Sequence, residues 1–128
     1  MFASFEKDYI MRIVRELVRM LLKLLFNVDV TRDMEQVIKE GEKEDELRRL
    51  ITMIDEGYIN EGENELYELI GDGDKAYLKI ALIFYYHLAT KDEDFLTSHG
   101  YTMQEVKEGV DSIVEIYKID EIAQMFMN

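Results

Sequence analysis

Few side chains in this sequence belong to the types that do chemistry, and their spacing limits them further. There are two histidines, His87 and His99, and no cysteine. A histidine acts as a base or metal ligand when a carboxylate or second ligand stands at a fixed offset. Phe84 precedes His87 by three residues and Leu96 precedes His99 by three, so the Glu-x-x-His pairing of di-iron bundles is absent. The His-Glu-x-x-His zinc signature is absent as well. Asp92-Glu93-Asp94 lacks the later glycine and glutamate of a calcium loop. Gly71-Asp72-Gly73 lacks the lysine and hydroxyl residue of a phosphate loop. Without cysteine there is no thiolate nucleophile and no disulfide framework. Glu61, Glu63, Glu65 and Glu68 crowd one segment. Paired carboxylates do acid–base work only where burial or proximity separates their pKa values, and these four read as a solvated face. The sequence therefore predicts no catalytic residue, no metal and no cofactor. The constellation that remains is His87 with Tyr85 and Tyr86, an imidazole and two phenols able to line a ligand pocket. The competing reading is a hydrogen-bonded core histidine beside tyrosines that reach the surface. His99, next to Gly100, reads as a loop tip.

The elements that must position these groups are helices. The 128 residues contain no proline and seven glycines, which favours long elements joined by short turns. Residues 75–90 are apolar almost all round the helical wheel, and such a helix belongs in the middle of a domain. Residues 5–26 form the other strongly apolar helix. Its Arg12, Arg15, Glu16, Arg19 and Lys23 occupy one narrow stripe, while apolar side chains spread over about 180°. An ordinary surface helix carries an apolar stripe little over about 100° wide. Something must cover the excess, and the arc left for a partner is Ile13, Leu17, Met20 and Leu24. Ser4 is placed to cap this helix, and Asn27 tolerates the left-handed turn that would end it.

Thr31 is placed to cap a short helix ended by Gly41. Leu47, Leu50, Ile51 and Ile54 give residues 44–56 an amphipathic face, with Gly57 as the stop. The following helix, 59–70, buries Ile59, Gly62, Leu66, Leu69 and Ile70, with Gly62 admitting a close neighbour. Residues 91–100 read mainly as a loop. Thr102-Met103-Gln104-Glu105 is a capping box, with Tyr101 and Val106 as its hydrophobic staple. Ile122, Met125 and Phe126 call for burial in a short last helix, 119–127. The expected fold is all-α: one domain, 1–128, of six or seven helices, with helical hairpins at 44–71 and 75–118. A weak echo aligns residues 59–70 with 106–117, each with a glycine on its buried face. Tetratricopeptide-like hairpins and an irregular bundle both accommodate it.

Charge excludes some partners. The net charge is −13. Residues 5–26 hold five basic and three acidic side chains, a net of +2, and the remainder holds 10 basic and 25 acidic, a net of −15. A body that acidic repels nucleic-acid phosphates and anionic lipid. Glu6 and Asp8 precede the apolar run, no small-residue cleavage site follows, and charges interrupt residues 12–23. Neither a signal peptide nor a transmembrane span is expected, which makes the cytoplasm the expected compartment.

Three stretches carry a resemblance. They are Phe5-Glu6-Lys7-Asp8-Tyr9-Ile10-Met11-Arg12, Ile59-Asn60-Glu61-Gly62-Glu63-Asn64-Glu65-Leu66-Tyr67, and Phe84-Tyr85-Tyr86-His87-Leu88 leading to Tyr101-Thr102-Met103-Gln104-Glu105-Val106-Lys107-Glu108-Gly109-Val110. Together they resemble a family of short, uncharacterised, all-helical proteins of Firmicutes bacteria. The resemblance covers most of the chain and implies a helical bacterial cytoplasmic protein of unknown function. It carries over no catalytic residue, and it implies that alanine is more usual where Gly62 stands.

The expected function is a non-enzymatic protein-interaction module, self-associating as a homodimer through residues 5–26. The alternatives are peripheral membrane attachment through the same helix, with its basic stripe on headgroups, and a small-ligand binder or enzyme built on His87 and the nearby tyrosines.

Overall fold

The fold is organised by two apolar helices lying antiparallel. A computed structural model describes the backbone of residues 2–127 and the side chains of residues 9–125. The first helix, α1 (Phe2–Phe26), is followed by α2 (Met34–Glu40), α3 (Glu44–Asp55) and α4 (Ile59–Ile70). A 3₁₀ turn at Lys75–Tyr77 leads into α5 (Leu78–Ala89), and α6 (Glu93–Ser98), α7 (Met103–Ile116) and α8 (Asp120–Met127) complete the chain. The fold is all-α, one domain, with eight α-helices among the described residues.

α5 occupies the middle and touches α1, α3, α4 and α7. Leu78, Ile80 to Tyr85, Leu88 and Ala89 are all buried, and only Lys79, Tyr86 and His87 are half-buried, which is why this segment is apolar almost all round. α1 lies along it in the opposite direction. Lys79 Nζ sits 6.0 Å from the centre of the Phe26 ring, and Arg15 Nη1 donates to the Ala89 carbonyl at 2.9 Å. That bond places a guanidinium on the last turn of α5, where the helix leaves carbonyls unpaired and the dipole is negative. α7 and α8 cover further sides of α1. One buried cluster runs from Met11 to Ala123 and includes Val14, Leu17, Val18, Leu21 and Leu22 of α1.

The helix ends follow local chemistry. Asn27 takes φ 56° at the end of α1, and Gly57 takes φ 90° between α3 and α4. Thr102 caps α7, accepting from Glu105 N at 3.1 Å and donating its hydroxyl to Glu105 Oε1 at 3.2 Å. Tyr101 and Val106 are both buried beside that cap.

Several expectations need correction. α1 begins at Phe2, so Ser4 lies inside the helix and not at its cap; its side chain is outside the described residues. Asp33, not Thr31, caps α2 and accepts from Glu35 N. Thr31 is tied instead to Asp29, its backbone N–H donating to Oδ1 at 3.0 Å. Residues 93–98 are helical, not loop. Asp92 caps α6 by accepting from Phe95 N at 2.8 Å, and Leu96 anchors it in the core. In α8, Ala123 is buried and Ile122 half-buried, but Met125 is 73% exposed. Phe126 lies outside the described side chains.

Candidate interaction surface

On a wheel of about 100° per residue, Val14, Val18, Leu21, Leu22 and Leu25 point to one side of α1. Those side chains are buried or packed against the core. The opposite boundary is different. Tyr9 is 51% exposed and Leu24 is 57% exposed. Ile13 and Met20 are half-buried but do not join the core cluster. These four share an arc about 60° wide. Of the four residues the sequence singles out, Leu17 is therefore core, Leu24 stands in solvent, and Ile13 and Met20 lie between.

The arc has a regular spacing. Ile10, Ile13, Leu17, Met20 and Leu24 fall at intervals of three, four, three and four residues. This is the a/d alternation of a coiled-coil seam, in which knobs from one helix enter holes made by four residues of another. Tyr9, Glu16 and Lys23 precede the a positions and so flank the seam. Glu16 accepts from Arg19 Nε at 2.6 Å. That bond holds the Glu16 carboxyl below the usual carboxylate range, and Arg15 adds a lesser charge effect. Beside the seam a cleft of about 130 Å³ opens between α1 and α7, lined by Ile10, Ile13, Val14, Leu17 and Val110 with Lys107 and Asp111 at its rim. Lys107 and Asp111 bond each other at 2.9 Å, so the floor of the cleft is left apolar.

His87 and Tyr85 are not brought to one site, and Tyr86 is half-buried beside the core. His87 Nε2 donates to Asp55 Oδ1 at 2.7 Å, because a carboxylate can only accept. Lys91 Nζ donates to the same oxygen at 2.7 Å. Partial burial pushes the Asp55 carboxyl up, but the bonds from Lys91 and His87 outweigh it and leave it below its usual range. Tyr85 turns elsewhere, its hydroxyl donating to Glu63 Oε2 at 2.5 Å, where Tyr101 also donates at 2.8 Å. Burial, then the charge of Glu63, pushes both phenols far above the ordinary tyrosine range, so neither ionises near neutrality. Glu63 thus joins α4 to α5 and to the start of α7 as a latch.

Glu63 is not simply part of a solvated face. It follows Ile59 by four residues and precedes Leu66 by three and Ile70 by seven, so it borders the buried stripe. That spacing was the available signal. His99 is not a loop tip either. Its ring lies against Phe95, with centroids 4.6 Å apart, and fills the space where a Cβ on Gly57 would stand, 2.1 Å from Cδ2. Among the described residues no group of three His, Cys, Asp or Glu side chains could hold a metal ion. No described helix is long and apolar enough to cross a membrane.

These features define an all-helical domain whose largest irregularity is an uncovered helix face. The chain matches the family of unknown function DUF6483 over residues 4–118 and belongs to it. No curated protein and no solved structure matches the chain.

Proposed function

We propose that this chain is a protein-interaction module without catalytic activity, and that it self-associates through the outer face of α1. The observation that carries this reading is the exposure of Leu24 in a heptad-spaced row with Ile13 and Met20, beside a fully formed core. A row of apolar side chains at three-four spacing on a folded domain suits a second helix. The polar side chains that could have built an interior site already bond one another. Tyr85 and Tyr101 are satisfied by Glu63, and His87 by Asp55. The acidic remainder of the chain favours solubility of the free form.

Light scattering at tens of micromolar tests the reading. The wild-type chain is expected at twice its single-chain mass of 15.2 kDa. Leu24→Glu is expected at one mass with unchanged helical circular dichroism, since its side chain supports nothing in the fold. Leu17→Glu does not serve, because Leu17 is core and a charge placed there costs fold stability as well as association. A wild-type monomer at this concentration would sink the reading.

A further inference from the structure

The apolar cleft between α1 and α7 has a shape that specifies what enters it. Its walls on α1 are Ile10, Ile13, Val14 and Leu17, at i, i+3, i+4 and i+7. Four residues at this spacing make the hole of a knobs-into-holes contact. Its volume, about 130 Å³, excludes a drug-sized ligand, which needs roughly 300 Å³ or more. It is the size of one apolar group, since about 150 Å³ of apolar space accepts a benzene ring.

The matching knob is in the same chain. Leu24 stands on the same arc of α1, exposed, with no socket of its own. It cannot reach the cleft of its own molecule, because eleven residues of rigid helix separate it from Ile13, about 16 Å along the axis. A second copy lying antiparallel delivers it. With a two-fold axis crossing α1 near Val18 and Arg19, Leu24 of the second copy meets Ile13 and its cleft, and Met20 of the second copy meets Leu17. The same register sets Lys23 of the second copy beside Glu16, where it joins the existing pair with Arg19. A parallel arrangement sets Glu16 against Leu21 of the other helix and gives Lys23 no carboxylate across the seam. Flanking charges fix orientation in helix pairs.

We infer that the α1–α7 cleft is the socket for Leu24 of a second copy of this chain, in an antiparallel two-fold dimer. This deepens the self-association reading and rests on it.

The absence of cysteine makes the test direct. Two single variants, Glu16→Cys and Lys23→Cys, are oxidised separately and as an equimolar mixture. Both positions are exposed, so neither substitution disturbs the core. The antiparallel register predicts a disulfide-linked dimer in the mixture and little in either variant alone. Leu24→Ala is expected to weaken association about tenfold or more, by loss of a buried leucine at each of two sockets. Tyr58→Ala, an exposed aromatic away from α1, leaves it unchanged. A dimer by scattering that does not cross-link in the mixture overturns the socket and leaves self-association standing. A monomer overturns both readings, whether or not it co-sediments with anionic vesicles at low salt.

Discussion

α1 and α5 are the two most apolar helices of the chain, and they solve the same problem differently. α5 leaves only Lys79, Tyr86 and His87 half-buried and is otherwise enclosed by α1, α3, α4 and α7. α1 is covered by α5, α7 and α8, and carries Tyr9 and Leu24 into solvent on the side they leave open. Hydrophobic composition alone does not distinguish the two cases. What distinguishes them is that α5 is short and central, so every residue finds a neighbour. α1 is 25 residues long and lies at the edge, so one face is left outside the core.

The largest expected effect probes the enclosed helix. Phe84 is fully buried and meets Tyr85 edge-on, with centroids 5.2 Å apart. Phe84→Ala is expected to cost about 3–5 kcal/mol in urea unfolding, the range for an aromatic removed from a packed core. A cost below about 1 kcal/mol would erase the contrast with α1, since exposed positions change stability by no more than about 0.5 kcal/mol.

The glycines of α4 and α7 sharpen the comparison. They look equivalent in sequence, each on a buried face. A Cβ on Gly109 would stand 2.2 Å from Tyr85 Cε1, whereas one on Gly62 would meet Met53 and Phe84 at 3.5 Å. Gly109→Ala should therefore displace the Tyr85 ring from Glu63 and cost about 1–3 kcal/mol by overpacking. Gly62→Ala should instead stabilise by up to about 1 kcal/mol, because alanine fits in ordinary contact and favours the helix. Thermal denaturation of both variants reads the sign, and equal signs would contradict the geometry.

A smaller effect depends on pH. The folded state holds the Asp55 carboxyl below its usual value. Between the folded value and the unfolded one of about 3.9, the unfolded chain binds more protons, so stability rises with pH. The contribution is present above about pH 4 and is lost as pH falls through the folded value. Asp55→Asn should cost less than about 1 kcal/mol at pH 7, given its exposure, and the difference should vanish in acid. Urea midpoints at pH 7 and pH 3 check this.

Much of the fold was legible because it rests on local spacing. The burial of α5 follows from a wheel apolar almost all round, and the start of α7 from Thr102 and Glu105. α6 was not legible, because its six residues are mostly polar and only Phe95 and Leu96 mark its inner face. The spacing of Glu63 marks it as bordering the buried stripe, but its partners, like those of His99, were not legible, for a different reason. Each is placed by a residue far along the chain, Tyr85 and Tyr101 for one and Gly57 for the other, and no local pattern encodes such a meeting. The interaction arc was legible in outline. Its division into buried Leu17 and exposed Leu24 depends on where α7 and α8 settle, which is a tertiary fact.

The smallest expected effect on the fold is also the most telling. Leu24→Glu should change unfolding free energy by no more than about 0.5 kcal/mol. Its consequence belongs to the outer face of α1 alone. The most direct measurement is sedimentation velocity of the wild-type chain and Leu24→Glu across a concentration series from about one to one hundred micromolar. The wild-type chain should pass from one chain mass, 15.2 kDa, to two, while Leu24→Glu stays at one. A wild-type chain that remains at a single mass throughout would show that no second copy covers the outer face of α1.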